Sequence, residues 1–246
     1  MKYKIWTFTL VFLFALSGCG SSGEDWASQD PSASAVSARS FNIQEGWTAL
    51  HNSPHSSLLR VAGSCEGTYI LSNSAALQSG NVMFNTVTVN LAYGNLAPCL
   101  SPYENMASVD KSDTTTYYAT VEKQYKNYYA MNANYVYAWR AVAAFPTSVQ
   151  VGGAGTIGII DKKYANAKIA VEEWTYVIEK DTANSAIFNL VVKTYDTKTS
   201  ITNSDYLTAR IVKTEQFRYL INEKNQIALV KYDRLDANGF LIYGSI

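Results

Sequence analysis

The chain holds two histidines, His51 and His55, four positions apart. On a helix that spacing would present both imidazoles to one metal ion. Pro54 lies between them, removing an amide donor and biasing Ser53 away from helical backbone, so the pair reads as surface-loop histidines. Gly153, Gly155 and Gly158 satisfy the GxGxxG spacing that seats a dinucleotide pyrophosphate at a helix amino terminus. The residues that follow, Ile159 to Lys163, are strand-like, so the glycines read as a turn or linker and no cofactor is expected. Glycoside cleavage asks for two carboxylates roughly 5 to 9 Å apart. Glu172 and Glu173 are neighbours, and on a strand they would point to opposite faces. No GxSxG elbow is present to hold an activated serine beside a histidine. Asp233, Asp236 and Asn238 ahead of Gly239 offer oxygen ligands without the spacing of a calcium loop, and a hairpin turn accounts for the same residues. No catalytic residue and no metal ligand is assigned.

The richest chemical signal is aromatic. Tyr117, Tyr118, Tyr125, Tyr128, Tyr129, Tyr135, Tyr137 and Trp139 crowd one stretch. Exposed on a sheet, Tyr135, Tyr137 and Trp139 would make a flat amphipathic platform for sugars, peptides or a protein surface. Turned inward, the same rings would be core, a use that strands commonly make of aromatics.

The amino terminus carries an address. Lys2 and Lys4 precede an apolar run from Ile5 to Leu16, followed by the small residues Ser17 and Gly18 and then by Cys19. This is the layout of an export signal, and the run falls well short of the ~20 residues that span a bilayer. Leu16-Ser17-Gly18-Cys19 resembles the lipobox of bacterial lipoproteins. That resemblance covers residues 1 to about 20. It implies diacylation of the Cys19 thiol, cleavage before it, and often a third acyl chain on the new amino terminus. Two or more chains, at ~0.8 kcal/mol per buried methylene, hold firmly to a membrane. Residue 20 is Gly rather than Asp; in Gram-negative lipoproteins an Asp there resembles an inner-membrane retention signal, so its absence favours the outer membrane. Residues 19–40 are rich in Ser, Gly and Ala and read as a flexible tether, because such a stretch cannot bury enough surface to offset its ordering entropy.

Basic and acidic residues number 20 each, and loss of Lys2 and Lys4 with a leader at 1–18 leaves a slight acidic excess. No Lys/Arg cluster offers the basic face that nucleic acid requires. Besides Cys19 the chain holds Cys65 and Cys99. In an oxidising compartment such a pair is expected to close a disulfide, contributing roughly 3 to 4 kcal/mol on the chain-entropy model. Free thiols, or half of a zinc site with His51 and His55, are the alternatives.

These residues must be positioned by strands. Period-two runs separated by Asn, Asp, Ser and Gly clusters predict an all-β, antiparallel sandwich or barrel-like meander. Strands are expected near 57–61, 66–72, 82–92 and 135–145, then at 167–179, 186–195, 208–221, 227–232 and 240–243. Between 121 and 131 the spacing also fits a short helix. Pro146 to Gly155 suggests a boundary, giving a β domain with the disulfide at 41–145 and a C-terminal meander at 146–246. In the strand ending at Ile221, Ile211, Lys213, Glu215, Phe217 and Tyr219 share a face that is not purely apolar, so its surroundings must change along its length. With its Glu66-Gly67-Thr68-Tyr69-Ile70 strand start and C-terminal meander, the body resembles uncharacterised exported bacterial β proteins, which implies a β fold and no activity. The expectation is a membrane-anchored, non-catalytic binding or structural module of the cell envelope, with an envelope protein or glycan as partner. A hydrolase of an envelope polymer and an accessory subunit of a secretion or assembly complex are the alternatives.

Overall fold

A computed structural model describes residues 38–79, 82–93, 110–120, 125–130, 135–165, 167–196 and 209–246. The chain enters through a helix, α1 (Ile43–Asn52), and continues as strands β1 (His55–Gly63), β2 (Gly67–Asn73), β3 (Leu77–Ser79), β4 (Val82–Tyr93), β5 (Asp110–Thr120), β6 (Tyr125–Ala130) and β7 (Tyr135–Trp139). There follow β8 (Ala154–Tyr164), β9 (Ala167–Lys180), β10 (Ala186–Asp196), β11 (Ile211–Ile221), β12 (Ile227–Asp236) and β13 (Leu241–Ser245). The antiparallel meander expected from the alternating runs is present, and the turns fall where Asn, Asp and Gly cluster. Asn225 and Gly239, with φ of 59° and 85°, supply the left-handed backbone that the β11–β12 and β12–β13 turns require.

All thirteen strands belong to one antiparallel sheet, and strands from both sides of the 146–155 stretch pair within it. β4 to β13 pair in chain order, β13 returns to β1, β1 pairs β2, and β2 pairs β4, with Leu71 opposite Val89. The sheet therefore closes on itself into a barrel, and among the described residues only β3 stands outside the ring, as an extra partner of β4. Closure removes the edge strands that would otherwise template aggregation.

Several stretches differ from the sequence-based expectation: the strand expected at 135–145 ends at Trp139, and β5 lies where no strand was expected. Tyr125–Ala130 is a strand that pairs with both β5 and β7, so no helix occupies it. The helix lies instead at Ile43–Asn52. Asn42 caps it by accepting from the Glu45 amide at 3.0 Å. Ile43, Trp47, Leu50 and His51 form its buried face at helical spacing. The β11–β12 turn grips its first turn, with the Asn42 amide donating to Asn225 Oδ1 at 3.0 Å and Asn225 Nδ2 donating to Glu45 at 3.2 Å. A further difference is β8, whose glycines read as a linker and in fact open a strand.

A barrel of more than eight strands encloses more volume than its wall side chains fill. α1 fills one end of this one. The Trp47 ring stacks on Phe145 at 5.0 Å and meets Trp174, Phe188 and Tyr219 edge-on at 6.4, 6.2 and 5.5 Å. One hydrophobic core runs from Phe41 to Ile242 through both halves of the chain. The opposite, distal end carries the β1–β2 turn and the ends of β4 and β12. The outer wall is mixed: Arg218 donates to Asp233, pairs with Glu179 at 3.5 Å, and stands beside Lys231 across the sheet, while Leu58, Val177, Leu241 and Tyr243 are exposed. No helix among the described residues is long and apolar enough to cross a membrane.

Candidate functional site

In an antiparallel sheet, residues opposite one another share a face, so the register of β8 to β13 stacks the barrel interior in rows. Nearest α1 lie Ala186, Ile221 and Ile227, then Ile178, Phe188, Tyr219 and Leu229. Both rows are apolar apart from the Tyr219 hydroxyl, and all but Ile227 are under 4 % exposed. Tyr176, Leu190, Phe217 and Tyr232 follow. Beyond them come Trp174, Val192, Glu215 and Arg234, and finally Glu172, Thr194, Lys213 and Asp236. The interior thus grades from hydrocarbon at the helix end to paired charge at the distal end. This explains why the Lys213, Glu215, Phe217 and Tyr219 face of β11 looked mixed.

Four of the five charges in these rows are paired within the wall. Lys213 Nζ stands 2.7 Å from Glu215, whose other oxygen accepts from the Tyr232 hydroxyl at 2.7 Å. Arg234 grips Asp236 with two hydrogen bonds of 2.9 Å, its guanidinium lying over the Phe240 ring at 5.9 Å. Trp174 Nε1 donates to Glu172 at 3.1 Å. Burial alone would raise the Glu215 carboxyl; the charges of Lys213 and Arg234, with hydrogen bonds from Lys213 and Tyr232, overcome it and hold the pKa down at about 2. Burial, reinforced by the Glu215 charge, pushes the Tyr232 phenol well above its ordinary range. At neutral pH Glu215 is a fixed acceptor and Tyr232 a fixed donor.

Aromatic rings complete the wall. Tyr232 stacks on Tyr69 at 4.4 Å and meets Phe217 at 5.0 Å. Tyr137 and Trp139 face inward and pack against the core. Trp139 meets Trp174 edge-on at 5.2 Å, and Lys162 Nζ sits 5.1 Å from the Tyr137 ring centre. These two are therefore no outward-facing platform; they line the barrel, and the Tyr135 side chain lies outside the described set. The glycines of the GxGxxG spacing serve the same interior. A Cβ on Gly155 would fall 2.9 to 3.1 Å from the Tyr176 phenol, and one on Gly158 would lie 3.2 Å from the Trp139 indole. They admit rings rather than a pyrophosphate.

Other candidates disperse. His51 is buried in the last turn of α1, where its Nδ1–H donates to the Trp47 carbonyl at 2.9 Å; His55 opens β1 at the half-exposed barrel rim. A surface loop was expected for both, and it fails for His51 because the last turn of the ten-residue helix α1 precedes Ser53 and turns the imidazole inward. Burial lowers its pKa to about 4, partly opposed by that hydrogen bond and aided by the neighbouring His55. Glu172 faces inward, whereas Glu173 faces out and accepts from the Tyr195 hydroxyl at 2.8 Å. Asp233 turns outward to Arg218, Asp236 inward to Arg234, and Asn238 Oδ1 accepts from the Phe240 amide at 3.1 Å, which makes a turn and not an ion loop. Among the described residues no group of three or more His, Cys, Asp and Glu could hold a metal.

Cys65 is buried and disulfide-bonded. Cys99 and Cys19 lie outside the described residues. No protein-family model, curated protein or solved structure matches this chain.

Proposed function

We propose that this chain is an exported lipoprotein, anchored through acylated Cys19 to the outer membrane, whose barrel is a non-catalytic binding module with its site at the distal end of the interior. The observation that carries the binding reading is the graded interior. A structural barrel would be filled with hydrocarbon throughout, because burying paired charges is on balance no more stabilising than packing apolar groups of similar volume. This barrel instead places Glu172, Thr194, Lys213, Glu215, Arg234 and Asp236 in two adjacent rows on one face of four strands.

Glu215 is unsuited to be the general acid of a hydrolase of an envelope polymer. A general acid must carry a proton near neutral pH, and Glu215 is held ionised by Lys213 and Arg234. For the anchor, the support is the signal layout from Lys2 to Cys19 and Gly20 behind it. A Cys65–Cys99 pairing is supported by topology: Gly67 opposes Tyr93 and Ala92 opposes Asp110, so the sequence segments holding the two cysteines leave the sheet at the same end.

Feeding cells an alkyne-tagged palmitate tests the anchor. The protein is expected to take up the tag and sediment with outer membrane, and Cys19→Ala to lose both properties. An untagged protein whose intact mass retains Met1 would end the lipoprotein reading.

A further inference from the structure

The distal rows also say what kind of ligand they fit, an inference that rests on the binding reading above. Tyr176 and Phe217 point into the barrel, in the row between Phe188 and Trp174, and yet are only partly buried. Tyr137 and Trp139 are likewise inward and partly buried. The side chain of Lys213 is 27 % exposed. Solvent therefore reaches the interior at the level of the aromatic row and the charged rows, while the rows nearest α1 are sealed. Beside this part, Thr194 is 7 % exposed, and its buried hydroxyl has no hydrogen-bond partner among the described residues. Its row neighbours are Glu172 and Lys213. A buried hydroxyl without a partner costs about 1 to 3 kcal/mol, so its placement calls for a ligand atom that completes it.

The electrostatics narrow the class. Lys213 is paired with Glu215 and Arg234 with Asp236, while Glu172 has only the Trp174 Nε1–H as its partner among the described residues, so the rows hold a carboxylate in excess and disfavour an anionic ligand. A long acyl chain has no room either, because Phe188, Ile178 and Tyr219 close the apolar end against Trp47. What remains is a wall of ring faces interleaved with fixed donors and acceptors. We propose that the distal interior binds a short neutral saccharide, its apolar ring faces against Phe217, Tyr176 and Trp139 and its hydroxyls on Thr194 Oγ1, Glu172 and the Lys213–Glu215 pair.

The test uses the full-length mature protein in a detergent without a sugar headgroup, with Trp139 and Trp174 as fluorescent reporters. Maltotriose, cellotriose and triacetylchitotriose are the neutral probes; trigalacturonate, inorganic phosphate and laurate are the contrasts. A saturable change with at least one neutral trisaccharide is expected, and Thr194→Val should weaken it roughly ten-fold, the worth of one buried hydrogen bond. Phe217→Leu, which keeps an apolar side chain of similar bulk and removes the ring face, should weaken it similarly. Far-ultraviolet circular dichroism verifies that both variants fold. Binding that Thr194→Val leaves unchanged would place the site elsewhere and overturn the proposal. Saturation by a contrast probe alone would overturn the saccharide class and leave the binding module standing. Silence toward every probe would overturn both.

Discussion

Acid should loosen this protein at the helix end before it disturbs the charged rows, and His51 sets the size of the effect. The imidazole is buried between α1 and the core beside Trp47, at a ring separation of 4.4 Å, and its pKa falls from 6.5 to about 4. A histidine with a lowered folded-state pKa binds its proton more readily when unfolded, so its contribution is complete above pH 6.5 and is lost as pH falls toward 4. A shift of that size means that acidification from pH 7 to pH 5 removes about 2 kcal/mol of stability. Urea titrations followed by tryptophan fluorescence at several pH values would measure it. His51→Gln should cost stability at pH 7 through lost packing yet flatten the slope between pH 7 and 5, whereas His55→Gln should leave most of the slope. An equally steep slope in His51→Gln would refute the assignment, and so would a wild-type curve flat over that range.

Glu215 answers in a lower window. Its folded pKa of about 2 lies below the ordinary 4.5, so its contribution holds above pH 4.5 and is lost only as pH falls toward 2. Glu215→Gln, which strips the partner from Lys213 inside the wall, should cost about 2 kcal/mol in urea titrations at pH 7, less than a fully buried pair because Lys213 is partly solvated. Gly46→Ala should reverse the usual benefit of alanine in a helix. Its Cβ would lie 2.3 Å from the Asn225 carbonyl, so a gain of about 1 kcal/mol in helix propensity gives way to a lower thermal midpoint. Phe188→Ala, at a fully buried site under Trp47, should cost roughly 3 to 5 kcal/mol by the same titration.

Local chemistry was legible in the sequence, and lateral relations were not. The ends of β9, β10, β12 and β13 stand where Asn, Asp and Gly interrupt alternation, since those residues alone supply the turn backbone cheaply. α1 has a local signature in Asn42, then Glu45, with Ile43, Trp47, Leu50 and His51 at helical spacing. Pro54 marks only the break that follows this helix. β8 reads as a linker because glycines usually end strands, and only the Tyr176 and Trp139 rings packed above them show why they sit inside one. The Glu172, Thr194, Lys213 and Asp236 row had no local signature at all. It exists only through the register of four strands, and each of those residues alone looks like an ordinary polar position on a half-exposed strand.

The account depends on the sheet being closed, because only closure makes the charged rows an interior. Hydrogen exchange read by mass spectrometry addresses this directly at the β2–β4 seam, where Gly67 to Asn73 pair with Tyr93 to Val87. Both segments should exchange as slowly as Phe188 to Val192 in the middle of the sheet. Rapid exchange in residues 67–73 and 87–93 beside a protected β10 would mean that the barrel is open there, and the interior site would be lost with it.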